Sequence, residues 1–461
     1  MPLYRRVFLP SLLVMMAAAF LVDVQRNLYS SDIPFIPVTA AQMALVKHAV
    51  IPLNNPDDNQ SIVKLIHNKP LVLIGDSTHG THEFYQQRIN ISKQLILKKN
   101  FKSILLEGDW PNVYTLNQYV QSLIPITAEQ ALQAGKSQGA WLWNNQETLK
   151  FLQWLRKHNQ QLPEGEQKVS LYGLDIYSFT QSKQLVIDYL YDYSPQAVQQ
   201  ASHRYQCFAR FNNDLHRYAK ALKNNEALSC EAMVVEQYMD FTACRISCPD
   251  DNAVIDREAF FCAQQNALVV KNSEKNIRIQ YMTGDDTMSW NERDQHMMES
   301  FMATAEHLNY PKTIIWAHNS HLGDARATEM LHKNQLNIGQ LLRDNFGRAV
   351  FSIGMLTYSG KVMAADDWHS PARLKVLLNA HNNSNEALFH YLNIPYFLLN
   401  LQQSSELSQL LNRKRLQRHV GVIYRPQDEM ASHYTYTHLA QQFDAIIFID
   451  VTSAVTPITN K

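Results

Sequence analysis

The sequence lacks an excess of charge of either sign. Lys and Arg together number 42, Asp and Glu together also number 42, and the formal net charge at pH 7 is zero. No basic run with interleaved aromatic residues interrupts this balance. Binding to nucleic acid or to an anionic membrane surface needs a concentrated positive field, so the composition disfavours both partners.

Internal periodicity is also missing. The absence of a fixed-period repeat and of a low-complexity tract argues against solenoids and propellers. Without a coiled-coil heptad, a purely structural role has no supporting feature. With 461 residues, of which 46% are hydrophobic, the chain can bury a large core, and its length predicts two or three structural units.

Long apolar runs are scarce, and the one near the amino terminus is short. It covers residues 7–22 and follows Arg5 and Arg6, whereas a transmembrane helix needs about 20 apolar residues. Three consecutive alanines within it are suited to cleavage, and the RR pair resembles a twin-arginine signal. We therefore expect residues 1–22 to be a signal peptide of a periplasmic or otherwise exported protein, or an inner-membrane anchor if uncleaved. The alternative is a buried N-terminal helix.

Cysteine is rare, and all five residues fall within one short stretch. They are Cys207, Cys230, Cys244, Cys248 and Cys262. In an exported protein this clustering predicts disulfides with one thiol left over, although spacing does not define the pairing. Half of a metal site at 244 and 248 is disfavoured, because no pair with zinc-site spacing follows.

Apolar runs of strand length recur, and each is followed by a turn and a helical pattern. This alternation predicts an α/β fold, with a mainly parallel sheet covered by helices on both faces. Residues 184–280 carry helix-compatible stretches and no convincing strand, so we predict a helical insertion between two parts of one α/β domain, 45–183 and 281–455. The predicted strands are 71–75, 103–107, 169–175, 313–318, 349–356, 419–424 and 444–450.

Polar residues collect at the carboxyl ends of these predicted strands. Asp76 and His79 follow the first strand, Glu107 ends the second, Asp175 ends the third and His318 ends the fourth. Ligands of open parallel sheets bind beyond the carboxyl ends of the strands. We therefore expect these side chains to converge at one edge of the sheet.

A credible Ser or Cys nucleophile is missing. The segment GKSQG (135–139) matches G-x-S-x-G, but a helical pattern precedes it where a nucleophile elbow needs a strand, which argues against Ser137. The segment HEFYQ (82–86) lacks the second histidine of a zincin. The remaining chemistry is activation of water by a histidine base, with carboxylates that orient it and a cation that stabilises negative charge.

Several segments together resemble the erythromycin esterase family. GDSTHGTHEFYQQR and FKSILLEGDWPNVYTLNQYV resemble the family's opening pattern, G-E-x-x-H-G-T-H-E-F followed by an E-x-D-W-P strand end. SLYGLDIYSF, SWNERDQHM, IIWAHNSHLGDARATEM, NIGQLLRDNFG and GVIYRPQDEMASHY follow in the family's order. The resemblance extends over about residues 45–455.

The resemblance implies hydrolysis of a small-molecule ester or lactone, such as the macrolactone of erythromycin-type antibiotics, and implies no cofactor. It implies that His79 deprotonates water. The family glutamate three residues earlier falls on Asp76, whose side chain is one methylene shorter. Arg88, Glu107 and His318 complete the implied catalytic set, with Glu107 positioning the water and Arg88 and His318 stabilising the oxyanion.

Five further side chains are candidates for contact with the substrate. His321 ends the H-N-x-H segment, His82 follows the base by three residues, and Trp110 follows the second strand, where core packing is the simpler interpretation. Glu429 and His433 lie in a predicted rim loop.

Two other functions remain open at this point. His79, His82, His318 and His321 form two H-x-x-H pairs, which with a neighbouring carboxylate could hold a divalent metal ion in a metal-dependent hydrolase. The chain could instead be a non-catalytic periplasmic receptor for a polycyclic or glycosylated small molecule. The presence of all the implied catalytic residues argues against a receptor.

Overall fold

The computed structural model describes residues 37–55, 59–135, 140–192, 194–243, 256–368 and 370–458. The predicted signal at 1–22, Ser137, Cys244 and Cys248 lie outside these described residues. Each helix in the described ranges is too short or too polar to cross a lipid bilayer.

A nine-stranded sheet lies at the centre of the described structure. The strands of the chain are β1 (Val50–Pro52), β2 (Leu71–Asp76), β3 (Ser103–Asp109), β4 (Ser170–Asp175), β5 (Thr313–His318), β6 (Val350–Ala364), β7 (Arg373–Leu377), β8 (Tyr396–Asn400), β9 (Arg415–Arg418), β10 (Tyr434–Thr437) and β11 (Ala445–Thr452). The order in the large sheet is β1-β8-β11-β6-β2-β5-β3-β4, with β7 paired to β6, and β9 and β10 form a separate pair.

The central strands of this sheet run parallel. All pairs from β11 through β6, β2, β5 and β3 to β4 are parallel, whereas β8 and β7 pair antiparallel with their neighbours. The mainly parallel sheet that the sequence predicts is therefore confirmed.

Helices cover both faces of the sheet. In the described ranges the α-helices are α1 (Ala40–Ala49), α2 (Gln60–Ile66), α3 (His82–Lys99), α4 (Trp110–Gln121), α5 (Ala128–Gln133), α6 (Gln146–Gln160), α7 (Phe179–Tyr191), α8 (Pro195–Tyr205), α9 (Leu215–Leu222), α10 (Glu231–Thr242), α11 (Arg257–Thr283), α12 (Asp286–His307), α13 (Asn319–Leu322), α14 (Ile338–Phe346), α15 (Asn385–His390), α16 (Ser405–Leu411), α17 (Glu429–Ser432) and α18 (Leu439–Gln442). Short 3-10 helices cover Ala140–Leu142, Gln206–Phe211, Glu226–Leu228, Ala325–Ala327, Leu331–Lys333, Gly347–Ala349 and Pro426–Asp428.

Strand β2 shows how the two faces are buried. Successive side chains of a strand point to opposite faces. Val72 and Ile74 join a hydrophobic cluster that α3, α4 and α6 complete. Leu71 and Leu73 join a second cluster, which includes residues of α11, α12 and α14. The apolar runs of the sequence do not alternate with polar residues because both faces of the strand are covered.

The stretch from α7 to α11 is helical, and its described residues contain no strand. It has a hydrophobic cluster of its own. A disulfide joins Cys207 to Cys230 within it, as the clustering of cysteines predicts, and Cys262 is buried and unpaired.

A sharp turn joins α11 to α12. Gly284 ends α11 in the left-handed region, with φ of 65° that glycine adopts without steric cost. Asp285 then caps α12, because its Oδ1 accepts a hydrogen bond from the backbone N–H of Thr287 at 2.8 Å. This turn sets the start of the helix that carries Arg293.

The predicted strand at 419–424 is wrong. The strand lies just before it, as β9, and residues 419–424 make isolated bridges, one of them from Val420 to Thr78. Val420 is nevertheless buried. The apolar pattern of this segment therefore reflects packing against the main sheet and not the hydrogen bonding of a strand.

Candidate active site

Four neighbouring strands bring polar side chains to one edge of the sheet. β2 ends at Asp76, β3 carries Glu107 near its end, β4 ends at Asp175 and β5 ends at His318. These strands are adjacent in the order β2-β5-β3-β4, and Asp76 is the register partner of His318. The expected convergence of these side chains is observed.

His79 lies between two buried carboxylates. Its Nδ1 lies 3.3 Å from Oδ1 of Asp76, and its Nε2 lies 3.8 Å from Oε1 of Glu107. Burial lowers the pKa of His79, but the charges of Asp76 and Glu107 outweigh burial, so the pKa lies above its ordinary value. The ring is therefore a stronger base than a histidine in water.

Arg88 lies behind Asp76 and is fully buried. Its Nη2 donates to Oδ2 of Asp76 at 2.9 Å and to the backbone oxygen of Ala317 at 3.2 Å. Burial would raise the pKa of Asp76, but Arg88 and then His79 outweigh it and hold that pKa at about 2. The expected role of Arg88 as an oxyanion ligand does not fit this position, because its guanidinium supports Asp76 from behind.

Arg293 on α12 links Glu107 to Asp175. Its Nη2 donates to Glu107 at 2.9 Å, and its Nε and Nη2 donate to the two carboxylate oxygens of Asp175 at 2.9 and 2.8 Å. Burial raises the pKa of Glu107, but the neighbouring histidines, His321 first, and Arg293 outweigh it, so the pKa lies below its ordinary value. Glu107 is therefore ionised beside His79.

His321 has both ring nitrogens engaged. Its Nε2 lies 3.1 Å from Nη1 of Arg293, which can only donate, so Nε2 accepts. Its Nδ1 then carries the ring proton and donates to Asp294 at 2.9 Å. The ring stacks on Trp290 with centroids 4.6 Å apart. His321 is thus fixed in one tautomer at the wall of the site.

His318 presents an unpartnered N–H beside His79. The backbone N–H of Ser320 donates to its Nδ1 at 3.3 Å, so the proton of the neutral ring is on Nε2. Burial, then the charge of His79, holds the pKa of His318 well below its ordinary value. The two ring centroids are 4.8 Å apart, and Nε2 of His318 is buried with no hydrogen-bond partner among the described residues.

Two predicted substrate contacts lie elsewhere. His82 begins α3, and its Nδ1 pairs with Glu147 and not with the other histidines. Trp110 is buried in the core, stacked on Tyr172 at 5.4 Å and edge-on to Phe261 at 5.5 Å. Neither side chain belongs to the histidine cluster, since each is engaged in a structural contact.

The predicted rim residues Glu429 and His433 lie one layer behind the cluster. Glu429 pairs with Nη1 of Arg418 at 3.2 Å. Nδ1 of His433 donates to the backbone oxygen of His419 at 3.2 Å. The ring of His419 in turn lies 5.7 Å from that of His318. Both predicted residues therefore support the segment that carries His419.

The positions of the histidines do not support the metal alternative. His79, His318 and His321 lie in one cluster, but His82 does not. In the part of the chain that the structure describes, no group of three or more His, Cys, Asp or Glu side chains is placed to hold a metal ion.

Four more side chains lie around this cluster, and none of them was assigned to the site from the sequence. Trp290, Arg293 and Asp294 lie in the SWNERDQHM segment, which the family resemblance marks, but no local pattern shows which strand ends this helix faces. His419 is a lone histidine after β9 and carries no motif. All four depend on contacts between segments that are distant in sequence.

Comparisons with known proteins identify relatives. The profile of the erythromycin esterase family matches residues 96–452. YbfO of Bacillus subtilis (strain 168), named provisionally as a hydrolase, is 20% identical over 326 residues, which are 67% of this chain and 70% of that protein. Erythromycin esterase type II of Escherichia coli is 22% identical over 342 residues, which are 69% of this chain and 77% of that protein.

Solved structures share the fold. A crystal structure of a Bacillus cereus protein has a TM-score of 0.73 at 20% identity and covers 92% of this chain and 100% of its own. A succinoglycan biosynthesis protein has a TM-score of 0.71 at 19% identity, with coverage of 90% and 97%. An erythromycin esterase mutant in its open conformation has a TM-score of 0.63 at 14% identity, with coverage of 88% and 96%. Because the family profile matches most of the sequence, the chain belongs to the erythromycin esterase family.

Proposed function

We propose that the chain is a hydrolase that activates water with His79 to cleave an ester or a lactone. The observation that carries the proposal is the position of the His79 ring between Asp76 and Glu107. The names of the relatives, a hydrolase and an erythromycin esterase, support the coarser class, hydrolysis of a small molecule.

His79 is suited to take a proton from water. Its Nδ1 faces Asp76 and carries the ring proton, which leaves Nε2 to accept one. Nε2 and Oε1 of Glu107 are 3.8 Å apart, a separation that one water oxygen spans with hydrogen bonds to both. Glu107 orients this water, and its proton passes to Nε2 as its oxygen attacks the carbonyl carbon.

His318 is suited to stabilise the tetrahedral intermediate. The carbonyl oxygen gains negative charge as water attacks, and the Nε2–H of His318 is a neutral donor beside the base. The carbon–oxygen bond of the ester then breaks, and protonated His79 returns its proton to the leaving alkoxide. One water is consumed, and the products are a carboxylic acid and an alcohol, which stay in one molecule when the substrate is a lactone.

The test is turnover of a panel of esters and lactones, including an erythromycin-type macrolactone, with addition of one water detected by mass spectrometry. His79→Asn is expected to lower the rate at least about 10²-fold. His307→Asn is the matched control, because His307 also pairs with a carboxylate, Glu258 at 2.7 Å. His307 ends α12, ahead of β5, and not at the carboxyl end of a strand. Near-normal turnover by His79→Asn would remove the assignment.

Two other results would also overturn parts of the proposal. Binding of an ester by the wild-type protein without turnover would indicate a binding protein. Loss of activity on chelation, restored by one divalent metal, would indicate metal-dependent hydrolysis.

We also propose that the protein is exported. Support comes from the charged and apolar pattern of residues 1–22 and from the Cys207–Cys230 disulfide, because disulfides persist in oxidising compartments. Fractionation should recover the protein outside the cytoplasm, and mass spectrometry of the recovered protein distinguishes a cleaved leader from an uncleaved anchor. Recovery from the cytoplasm would contradict export.

A further inference from the structure

A pocket of about 470 Å³ is lined partly by residues that adjoin the turn carrying His79. Trp141, Met363, Trp368 and Pro457 supply much of its apolar surface. No charged side chain is among the described residues that line it. Trp368 is 50% exposed, which is a large apolar area for a folded protein to leave in water.

One wall of the pocket is bonded to the turn that carries the base. The backbone N–H groups of Met363 and Val455, both in the pocket wall, donate to the oxygen of Gly80 at 3.2 and 3.0 Å. Gly80 directly follows His79. A Cβ at Gly80 would lie 2.0 Å from the oxygen of Met363, so only glycine permits this approach.

Trp368, another lining residue, contacts a neighbour of the carboxylate network. The ring of Trp368 lies 6.3 Å from the ring of Tyr177. The Tyr177 ring lies 5.1 Å from the guanidinium carbon of Arg293, which binds Glu107. The pocket is therefore connected to His79 through Gly80, and to Glu107 through Tyr177 and Arg293.

We propose that this pocket binds an uncharged, ring-containing part of the ester substrate, with Trp141 and Trp368 as its apolar contacts. This inference rests on the proposed function and names the substrate class. A charged group would lose its hydration there without a charged partner, which opposes binding. The side-chain oxygen of Asn144, a residue that lines the pocket, has no hydrogen-bond partner among the described residues.

Three esters test the pocket: ethyl acetate, 2-naphthyl acetate and ethyl 2-naphthoate. Trp368→Ala is expected to raise KM for at least one naphthyl ester about 10-fold, because a lost aromatic contact is worth about one factor of ten in affinity. The kcat/KM for ethyl acetate should stay unchanged. Tyr391→Ala is the control, since Tyr391 is an exposed aromatic outside the pocket.

A second variant guards against an effect on folding. Ala372→Glu adds a charge to the pocket wall. Like Trp368→Ala, it is expected to raise KM for at least one naphthyl ester and to leave kcat/KM for ethyl acetate unchanged. Equal effects on all three esters, or no effect, would overturn the pocket assignment. If the wild-type protein hydrolyses none of the panel of esters and lactones, the proposed function itself fails.

A second and independent observation concerns His419. Its ring lies 5.7 Å from the ring of His318 at an interplanar angle of 64°. Both of its ring nitrogens are shielded from solvent and have no hydrogen-bond partner in the described part of the chain. Burial lowers the pKa of His419 to about 4, so the ring is neutral and offers one donor and one acceptor. Native structures rarely leave such groups unsatisfied.

We infer that His419 is a second donor to the oxyanion, which contacts the substrate oxygen together with Nε2 of His318. This inference rests on the proposed mechanism. Two neutral histidines side by side give the developing oxyanion more than one donor without burying another charge. The supporting observation is that two adjacent rings both have unpartnered, buried nitrogens.

His419→Phe keeps the ring and removes both nitrogens. The expected result is a fall in kcat of about 10²-fold with no loss in Tm, because a buried unpartnered polar group is removed at the same time. His419→Gln, which restores a donor, should recover part of the rate. An unchanged kcat in His419→Phe would overturn the assignment, and a lower Tm with unchanged kcat would indicate a structural role.

Discussion

At the scale of single residues, the base strength of His79 depends on carboxylates from two segments. Asp76 precedes it by three residues on the same turn, whereas Glu107 comes from β3. Arg88 and Arg293 each pair with one of these acids and keep both of them ionised. Protonation of His79 is favoured as a result, so the neutral, reactive form prevails only above its raised pKa.

This environment predicts a shifted pH dependence. The kcat/KM of the wild-type protein should rise with pH and level off above a pKa higher than 6.5. Asp76→Asn removes a carboxylate that raises this pKa, so the rise of kcat/KM with pH should occur at lower pH than in the wild-type protein. The plateau should fall, by no more than the about 10²- to 10⁴-fold that a general base contributes. If kcat/KM of Asp76→Asn rose at the same pH as that of the wild-type protein, the coupling of Asp76 to His79 would be contradicted.

The sequence could predict some of these residues and not others. Asp76 and His79 are close in the chain, and Glu107 and His318 end strands, so their convergence follows from the parallel sheet. The roles of Arg293 and His419 could not be predicted, because they depend on how α12 and the segment after β9 pack against the strand ends. His82 shows the opposite error, since sequence proximity to His79 does not place its ring in the site.

At the scale of elements, the turn between β2 and α3 depends on a close backbone approach. The oxygen of Gly80 accepts bonds from two distant segments, and there is no room for a Cβ. This turn holds His79 against the carboxylates, so we expect its geometry to affect both stability and the proposed catalysis.

Gly80→Ala tests this turn. The added methyl group meets the backbone oxygen of Met363, so we expect a loss of at least about 1–3 kcal/mol in the free energy of unfolding, together with a loss of activity. Gly421→Ala is the matched control, because a Cβ there meets nothing within 4 Å, and its change should stay within about 0.5 kcal/mol. Urea unfolding and kcat measure both effects, and equal results for the two variants would be inconsistent with the close approach.

Element prediction succeeded for β2 and β5, whose burial is two-sided, but missed β8, which is also buried on both faces. β2 and β5 are continuous apolar runs, and both were predicted within one residue at each end. β1 has three residues, and β7 is an edge strand with exposed alternate residues, so neither gives a strong apolar run. The error at 419–424 has a different origin, because burial alone does not distinguish a strand from a packed loop.

At the scale of the whole molecule, Glu386 makes stability depend on pH. It is fully buried, and burial raises its pKa to about 7 from an ordinary value of 4.5. The folded state therefore holds a proton that the unfolded state releases, so stability is lost as pH rises from about 4.5 to about 7.

Glu386→Gln removes this dependence. The variant should match the wild-type protein below about pH 4.5 and become more stable than it as pH rises, by up to about 3 kcal/mol above about pH 7. Arg418 keeps its pair with Glu429, so no buried charge is left alone. Urea unfolding at several pH values measures the difference, and a difference that does not change with pH would contradict the assignment.

In the helical stretch from α7 to α11, composition predicted that a disulfide forms but not which cysteines it joins. The clustering of cysteines indicated disulfides, yet the pairing of Cys207 with Cys230 required the packing of α8 to α10. The bond closes a loop of 23 residues, which should contribute about 3 kcal/mol by restricting the unfolded chain.

The double variant Cys207→Ser/Cys230→Ser should lose about that much free energy of unfolding, measured in urea. Cys262→Ser, a change at the buried free thiol of the same stretch, should lose only about 1 kcal/mol. The disulfide lies in the helical stretch and not at the strand ends. The kcat of the folded double variant should therefore stay at the wild-type value. A lower kcat would show that these helices help to shape the site.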